Sequence, residues 1–367
     1  MKKLLKYILL ISTIVSAILF ASCRLIVTLN PYEQSFIGIL GLLTPVLMVI
    51  NFCFLLFWLI ARKWLYGLIP VASFLISWNV FSVAFGGHFF TQQSFEKTDS
   101  TFTMMSYNVR LLDLYKWSKE KNTRERLLHF LKEQNPTVLC IQEFYNGNDS
   151  VGVNNIKSIQ DSCNYPYYAE CNLNVNKRGK WGSIIFSHLP IISTENHDID
   201  VSGSNMLQQA NIAFHQDTFS VFNIHLKSNR FTLSESELVG KKEIPNWDEK
   251  TINESKSIYN KLEKSTINRG LEADLVSNVI QHNRYPSLVC GDLNDIPSSY
   301  AYFKMRSNKL DAFLSKGAGL GATYNQAIPL LRIDYIFYDP AFTLHGFQNF
   351  DVTYSDHYPI MANFSVN

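Results

Sequence analysis

Six short segments of the chain carry carboxylate, amide and imidazole side chains close together. They are Ser106-Tyr-Asn108-Val-Arg110, Ile141-Gln-Glu143, Asn223-Ile-His225, Gly291-Asp292-Leu-Asn294-Asp295, Arg332-Ile-Asp334 and Ser355-Asp356-His357. Carboxylate and amide oxygens bind divalent cations, while amides, imidazoles and guanidinium groups stabilise negative charge on a phosphate. A single segment of this kind is most often a turn or a helix cap. Six of them in one chain favour a shared chemical site over six unrelated turns.

Each segment borders a run of β-branched and aromatic residues that predicts a strand. The predicted strands are residues 102–109, 138–142, 182–187, 219–226, 287–290, 333–338 and 361–366. Helical patterns separate them, such as residues 124–134, which end at Asn135-Pro136, and the apolar stripe through residues 258–280. Strands mixed with helices predict sheets covered by helices. The polar side chains would then meet where the strands end, a common place for α/β sites.

Taken in order, the six segments strongly resemble the endonuclease/exonuclease/phosphatase superfamily, and within it the deoxyribonuclease and sphingomyelinase branch. The resemblance spans residues 104–364 and includes Trp181-Gly-Ser-Ile-Ile-Phe-Ser187, which is similar to the family's glycine-plus-strand element. It implies a four-layered α/β sandwich, in which two packed mixed sheets are flanked by helices and the site lies at one edge. It also implies metal-dependent hydrolysis of phosphate esters.

The resemblance identifies candidate ligands for a metal ion and for the substrate phosphate. Mg²⁺ prefers hard oxygen ligands, usually one or two carboxylates with water and phosphate filling the other positions. Glu143 and Asp356 are expected to supply the carboxylates and Asn108 a neutral oxygen, with Mn²⁺ as the alternative ion. Arg110 resembles the arginine that contacts phosphate in the deoxyribonuclease branch. The alternative for Arg110 is an ordinary surface ion pair.

The other candidates would act on the attacking water and on the phosphoryl oxygens. Asp292 is expected to orient and deprotonate the water, and Asn294 and His225 to donate hydrogen bonds to the substrate phosphate. His357 would either stabilise the charge that develops on phosphorus or assist proton transfer. Asp334 would fix the tautomer of His357 and raise its pKa.

The expected function is phosphodiester hydrolysis of a nuclease-like kind. His225 and Ser355-Asp356-His357-Tyr-Pro359 fit the deoxyribonuclease and sphingomyelinase side best, because apurinic endonucleases carry tyrosine in place of His225. The inositol polyphosphate 5-phosphatases are also disfavoured, since they carry a Trp-Cys-Asp-Arg type segment where this chain has Arg332-Ile-Asp334-Tyr335. Residues 227–268 are interpreted as an insertion that caps the substrate groove.

Two other functions stay open. The motifs do not separate nucleic acid from lipid headgroups, so a phospholipase-C, sphingomyelinase or phosphatase activity on headgroups or other phosphate esters is the first alternative. The second is a non-catalytic receptor for a phosphorylated ligand. The intact set of acids, amides and histidines weighs against that receptor, because a loss of metal ligands would be expected in it.

The first quarter of the chain contains three uncharged apolar stretches, residues 7–23, 35–60 and 65 to about 90. A helix needs about 20 apolar residues to cross a bilayer, so three transmembrane helices are expected. The chain then divides into a membrane anchor (1–95), a polar linker (96–103) and a catalytic domain (104–367). The alternatives are a signal peptide followed by two buried helices and, for the first stretch, a lipoprotein-type signal ending at Phe20-Ala-Ser-Cys23.

Charge is distributed unevenly along the 367 residues. Residues 1–95 hold six basic side chains and one acid, whereas residues 96–367 hold 27 basic and 30 acidic ones. A slightly acidic domain argues against a protein that coats nucleic acid through bulk electrostatics. The expected partners are therefore a phosphate-ester substrate, either nucleic acid or a lipid headgroup, and the lipid bilayer. The sequence indicates no protein partner.

The basic residues of the anchor predict its orientation in the membrane. Those that border the first and third stretches are Lys2, Lys3, Lys6, Arg62 and Lys63. The loop between the first two stretches offers only Arg24 against Glu33. Because basic loops stay in the cytoplasm, three crossings place the catalytic domain outside. The expected location is the bacterial inner (plasma) membrane, multi-pass, with a periplasmic or extracellular catalytic domain.

This topology is testable by fusing a reporter after Asn367. Alkaline phosphatase folds to an active form only outside the cytoplasm, whereas green fluorescent protein usually fluoresces only inside it. We expect an active phosphatase fusion and a dark fluorescent fusion in a bacterial host. Bright fluorescence with inactive phosphatase would show that one stretch does not cross the membrane and that the catalytic domain is cytoplasmic.

Overall fold

The computed structural model describes residues 2–118, 120–148, 153–199, 205–229, 233–240, 248–326 and 331–367. Its helices are α1 (Lys2–Ser22), α2 (Phe36–Ile60), α3 (Trp64–Ile76), α4 (Trp78–Phe81), α5 (Thr123–Gln134), α6 (Asn155–Cys163), α7 (Leu233–Gly240), α8 (Glu249–Gln281), α9 (Tyr300–Arg306) and α10 (Ala312–Lys316). The first strands are β1 (Gly86–Gly87), β2 (Thr101–Asn108), β3 (Val138–Gly147), β4 (Tyr167–Asn176), β5 (Gly179–Ser187), β6 (Ile191–Asp198) and β7 (Met206–Phe214). The others are β8 (Asp217–His225), β9 (Ser287–Asp292), β10 (Leu310–Asp311), β11 (Ala318–Gly319), β12 (Asp334–Tyr338), β13 (Phe342–Asn349) and β14 (Ile360–Val366).

Two six-stranded sheets form the larger part of the molecule. The first sheet has the strand order β13-β14-β2-β3-β5-β4 and the second has the order β10-β12-β9-β8-β7-β6. Side chains alternate between the two faces of each strand, so Met104 of β2 packs between the sheets while Met105 packs under α5 and α6. Likewise Cys290 of β9 faces the first sheet and Val289 faces α8 and α9. The predicted sandwich of two mixed sheets flanked by helices is confirmed.

The sheet topology brings the polar strand ends to one edge. Strands β2 and β3 are parallel neighbours in the first sheet, and β8 and β9 are parallel neighbours in the second. Parallel neighbours end at the same edge, so Asn108 of β2 lies beside β3, and His225 is in register with Asp292. Strand β12 runs antiparallel to β9 and begins at this edge, where Asp334 is in register with Asp292.

The N-terminal helices pack together as a bundle of three. The amide of Asn51 in α2 donates to the Ser16 carbonyl of α1 at 3.1 Å and accepts from the Ser73 hydroxyl of α3 at 3.4 Å. The Ser77 hydroxyl, at the end of α3, donates to the Phe20 carbonyl of α1 at 2.6 Å. These hydrogen bonds tie all three apolar helices to one another, which is how polar side chains hold helices together in an apolar environment.

Two helices of this bundle, rather than three, are long and apolar enough to cross a membrane within the described residues. They extend over Lys3–Val27 and Phe36–Ile60. The third predicted span, residues 65 to about 90, is replaced by the 13-residue helix α3 and the short helix α4. The helix is interrupted at Ser77, whose backbone (φ −95°, ψ 24°) leaves the helical region while its hydroxyl bonds to α1. The prediction of three long apolar helices is therefore confirmed for two and wrong for the third.

One end of the bundle docks on the helices that cover the second sheet. The backbone of Gly38 in α2 approaches Thr266 of α8 so closely that an added Cβ would lie 2.3 Å from its methyl carbon. The Ser298 hydroxyl donates to the Gly41 carbonyl at 3.1 Å, and Arg332 donates to the Val83 carbonyl at 2.6 Å. The bundle thus contacts segments that lie next to the edge where Asn108, His225, Asp292 and Asp334 meet, which we name the catalytic edge after the chemistry predicted for it.

The predicted insertion, residues 227–268, contains α7 and the first part of α8. Helix α8 is 33 residues long and begins at Glu249, and the carboxylate of the preceding Asp248 caps it by accepting from the Thr251 backbone N–H at 2.8 Å. Part of the insertion, residues 230–232 and 241–247, lies outside the described residues. The prediction that this segment caps the substrate groove stays a prediction.

The close approach of β4 and β5 gives a test of the first sheet. A Cβ on Gly182 would lie 1.9 Å from the Cys171 carbonyl oxygen, whereas a Cβ on Gly87 would have no neighbour within 4 Å. We expect Gly182→Ala to lower the free energy of unfolding by about 3 kcal/mol, as overpacking against a backbone does. Gly87→Ala should leave the unfolding temperature nearly unchanged. Equal thermal unfolding of the two variants, measured by circular dichroism, would contradict this register of the two strands.

Candidate active site

One carboxylate oxygen, Oδ2 of Asp292, lies at the centre of the catalytic edge. It accepts hydrogen bonds from the side-chain amides of Asn108 at 3.0 Å and Asn294 at 3.2 Å. The Nε2 atoms of His225 and His357 lie 3.7 Å and 3.6 Å from the same oxygen. Both sheets contribute to this arrangement, because Asn108 ends β2 and His357 precedes β14 in the first sheet. Asp292, Asn294 and His225 end or follow strands of the second sheet. The structure therefore brings these five predicted residues together.

The other predicted residues lie around this centre. Glu143 Oε1 is 3.6 Å from His225 Nε2 and 3.4 Å from the Asn108 amide nitrogen. Asp356 pairs with Arg110, whose Nε lies 3.3 Å from its Oδ2. The Arg110 backbone N–H donates to the Asn108 side-chain oxygen at 3.1 Å. In this orientation Asn108 turns its nitrogen, not its oxygen, toward the carboxylates.

Asp334 and His357 form a buried ion pair, with Asp334 Oδ2 at 2.9 Å from His357 Nδ1. Burial raises the pKa of Asp334 to about 6, although His357 opposes this shift. Burial alone would lower the pKa of His357, but Asp334, Asp292 and Asp356 outweigh it and raise that pKa to about 10. Between these two values the carboxylate is ionised and the imidazole is protonated. His357 is therefore a cation at neutral pH.

Two hydroxyl groups fix the segments on either side of this pair. The Thr323 hydroxyl accepts from the backbone N–H groups of Ile333 and Asp334 at 2.9 and 3.0 Å. The Ser355 hydroxyl donates to the Asn108 carbonyl at 2.8 Å. The Thr323 hydroxyl thus holds the start of β12 against the Thr323 segment, and the Ser355 hydroxyl holds the Asp356-His357 loop against the end of β2. The ion pair therefore has little freedom to move.

Three residues at the edge have left-handed backbones. The φ angles are 45° for Arg110, 48° for Glu143 and 50° for Asn294. Residues other than glycine adopt this backbone region at a cost in free energy, and backbone strain of this kind is concentrated at functional sites. At Asn294 the strained backbone lets both the backbone N–H and the side-chain amide donate to Asp292, at 2.7 and 3.2 Å.

The charges of the edge fit a divalent cation. Glu143, Asp292, Asp334 and Asp356 are the carboxylates, and Arg110 and protonated His357 are the cationic groups paired with them. Four negative and two positive charges give the edge a net charge of −2, which a divalent cation would neutralise. Within the described residues, the ligand atoms of Asp292, Asp334 and His357 also lie within 4.8 Å of one another. We favour Glu143 and Asp356 as ligands, because His357 is protonated and already bound to Asp334.

Sequence reasoning missed Tyr324, which lies directly against the site. Its ring contacts the His357 imidazole edge to face, with centroids 5.2 Å apart. Burial and the nearby charge of Asp356 raise the pKa of its phenol to about 12, with smaller effects from Asp292 and Glu143. Tyr324 lies in no predicted strand, and among the described residues it pairs with Leu331 and His357 through isolated bridges. No local pattern could have identified it.

The ion pair predicts a change in the titration of His357. Without the Asp334 charge, burial should dominate, so Asp334→Asn should lower the pKa of His357 from about 10 toward or below its ordinary value of 6.5. Carbon-13 NMR of histidine-labelled protein in EDTA would report this, with His357→Gln used to assign the signal. At pH 8 the imidazole should be charged in the wild type and neutral in Asp334→Asn. A variant imidazole that remains charged at pH 8 would show that Asp334 is not its main partner.

The same shift has a consequence for stability. Because the folded-state pKa of His357 lies above the unfolded value of 6.5, its contribution to folding is complete below pH 6.5, declines above it and is lost once the pH has risen through about 10.

Comparison with known proteins agrees with this architecture. A model of the Endonuclease/Exonuclease/phosphatase family matches residues 105–357. A second model, Domain of unknown function (DUF8431), matches residues 6–84 in the helical bundle. No curated protein sequence matches the chain.

Several solved structures share the fold. The human Nocturnin catalytic domain with bound sulfate anion is 15% identical, covers 75% of this chain and 98% of its own, and has a TM-score of 0.51. A humanized D. rerio TDP2 with 14 mutations is 16% identical over 73% of this chain and 100% of its own, with a TM-score of 0.50. A family protein from Bacteroides thetaiotaomicron is 14% identical over 76% of this chain and 100% of its own, also with a TM-score of 0.50. At these identities the likeness concerns the fold alone.

The family model spans the strands and loops that carry all nine predicted site residues, and it covers more than half of the chain. The resemblance predicted from the six segments is confirmed: the chain belongs to the endonuclease/exonuclease/phosphatase family.

Proposed function

We propose that the chain is a membrane-anchored phosphodiesterase with nuclease-like activity that depends on Mg²⁺, or on Mn²⁺ in its place. The observation that carries this proposal is the charge balance of the catalytic edge, where four carboxylates and two cationic groups, Arg110 and His357, give a net charge of −2 among the described residues. A divalent cation would neutralise that charge. Membership of a family of phosphate-ester hydrolases supports the same reaction class.

Glu143 and Asp356 would hold the metal ion, with Asn108 beside them. Their side chains are 34% and 15% exposed, so both can reach a ligand that enters from solvent, whereas Asp334 is only 2% exposed and is bound to His357. When bound, the ion would neutralise charge on the phosphoryl oxygens. To act as a ligand, Asn108 would have to present its oxygen in place of its nitrogen.

His225, Asn294 and Arg110 would bind the substrate phosphate. The Nε2 atom of His225 is buried without a hydrogen-bond partner among the described residues, and it lies near both Glu143 and Asp292. An unpaired buried nitrogen is costly unless a ligand completes its hydrogen bonding. A phosphoryl oxygen would do so.

Asp292 and His357 would carry the proton chemistry. Asp292 is oriented by Asn108 and Asn294, so its carboxylate is held in place to orient and deprotonate the attacking water. His357 is kept protonated by Asp334 and would stabilise the negative charge that develops on the phosphoryl oxygens.

We also propose that the first 95 residues are an anchor that crosses a bacterial inner membrane three times, the third time through the short helices α3 and α4 in succession. Residues 96–103 would join this anchor to the catalytic domain of residues 104–367. Lys6 Nζ lies 5.1 Å from the Tyr66 ring, so α1 and α3 begin side by side at one end of the bundle. The other end packs on α8 and α9 of the catalytic domain. Basic residues at one end and the domain at the other support a cytoplasmic N-terminus and an external active site.

A lipid headgroup is the second candidate substrate, with phospholipase-C, sphingomyelinase or phosphatase chemistry. The observation that favours it is the direct packing of the anchor on the loop that follows Asn294, where Ser298 donates to the Gly41 carbonyl. Such contact would keep the active site close to the bilayer. The non-catalytic receptor is the third candidate, and the complete set of site residues weighs against it.

The metal assignment can be tested with conservative variants of its proposed ligands. We expect Glu143→Gln and Asp356→Asn each to lower the hydrolysis of bis-p-nitrophenyl phosphate on the order of 100-fold or more, because charge on the phosphate would lose its stabilisation. EDTA should do the same to the wild type, and added Mg²⁺ should restore the rate. Glu195→Gln is the matched control, since Glu195 is an exposed carboxylate outside the site.

Parallel assays on DNA, RNA and sphingomyelin would identify the substrate class. Hydrolysis that persists in EDTA would refute the metal assignment. Binding of phosphate esters without hydrolysis of any of them would favour the receptor.

A further inference from the structure

A cavity of about 370 Å³ lies between the helical bundle and the catalytic domain. The bundle contributes Asn79 of α4 and Ser82, which follows α4. The domain contributes Ser277 and Gln281 of α8 and Lys304 and Arg306 of α9. Ser277 and Gln281 lie two to three turns of α8 beyond Arg269, which marks the level of the catalytic edge through its bond to Asp295. The cavity is therefore separate from the active site.

The lining of this cavity suits an anion. No carboxylate is among the described residues that line it. Lys304 is paired with Asp274 at 2.7 Å, but Arg306 has no acidic partner among the described residues and uses only its Nε, which donates to the Lys309 carbonyl at 3.3 Å. The outer nitrogens of its guanidinium group can bind phosphate with two parallel hydrogen bonds. The Asn79 amide and the Ser277 hydroxyl add neutral donors. The Ser82 hydroxyl already donates to the Asn79 carbonyl at 3.2 Å, and the Gln281 amide donates to the Ser277 hydroxyl oxygen at 3.1 Å.

The position of the cavity indicates which anion would reach it. Asn79 and Ser82 lie just past the point where α3 ends, and Trp78 beside them is 56% exposed. Tryptophan is enriched at the boundary between membrane and water. Val27 and Phe303 give the same cavity an apolar part. A ligand with a phosphate group and adjoining hydrocarbon chains would match both parts, with its chains lying along the exposed apolar surface of the bundle.

We propose that this cavity binds the headgroup of an anionic phospholipid from the leaflet next to the catalytic domain. The lipid would join the anchor to α8 and α9 and so fix the orientation of the catalytic domain on the bilayer. The inference rests on the proposed membrane anchoring and does not depend on the hydrolytic reaction.

The test uses the purified full chain in a neutral detergent with EDTA, so that any metal-dependent catalytic site is silent. Thermal unfolding is followed while phosphatidylglycerol is added, with phosphatidylcholine and inorganic phosphate as separate arms. We expect phosphatidylglycerol to raise the unfolding temperature and the other two to have little effect. Arg306→Gln should weaken the apparent lipid affinity by about tenfold or more, as loss of a charged hydrogen-bond partner does. Arg306→Lys should weaken it less.

Arg284→Gln is the matched control, because Arg284 is an exposed arginine of the catalytic domain outside this cavity. It should bind lipid like the wild type. Equal stabilisation of Arg306→Gln and wild type, or equal effects of phosphatidylcholine and phosphatidylglycerol, would overturn the proposal. Protection by inorganic phosphate at the same concentration would identify a site for free anions and would overturn it too.

Hydrolysis of bis-p-nitrophenyl phosphate with Mg²⁺ is measured on the same preparations. Arg306→Gln should keep the wild-type rate, which shows that it is folded. Absence of hydrolysis in the wild type would contradict the proposed function. It would not affect the lipid proposal, which is judged from the shift in unfolding temperature alone.

Discussion

Two carboxylates that are buried opposite each other constrain the architecture of this protein more than any other feature. Asp292 and Asp334 are in register on neighbouring strands, and their side chains are 1% and 2% exposed. Burying a charge is costly unless hydrogen bonds and opposite charges compensate it. Two such charges side by side require several donors at once. Asn108, Asn294 and His357 supply them at the catalytic edge.

These donors come from different parts of the chain, so the two sheets meet at the site. Asn108 ends β2 in the first sheet, while both carboxylates belong to the second sheet. Neutralisation of the carboxylates therefore holds the sandwich together at this edge as well as preparing it for chemistry. Part of the free-energy cost of this arrangement is the backbone strain of Glu143 and Asn294, which adopt left-handed conformations. Strain of this kind persists only where surrounding contacts fix the conformation.

The helical bundle is bonded to the segments that carry this edge. Arg332 is fully buried, pairs with Asp311 at 2.6 Å and donates to the Val83 carbonyl, and Asp334 lies two residues further along the chain. On the other side, Arg269 bonds to Asp295, and its neighbour Thr266 packs on Gly38. The N-terminal helices therefore contribute to the position of the catalytic loops, in addition to any role as a tether.

Local patterns in the amino-acid sequence predicted the candidate residues, the order along the chain of the strands that carry them and the apolar character of the first quarter. They did not predict the order of the strands within each sheet. A strand is recognised as a β-branched run, as at residues 287–290 and β9 (Ser287–Asp292), and a helix as an apolar stripe, as at residues 124–134 and α5 (Thr123–Gln134). The positions of Tyr324 and Thr323 at the site and the end of the third helix at Ser77 emerged only from the folded chain. Those outcomes depend on contacts between residues far apart in the chain, which no local pattern records. The protonation of His357 is of the same kind, because it results from carboxylates brought together by strand register and from their burial away from water.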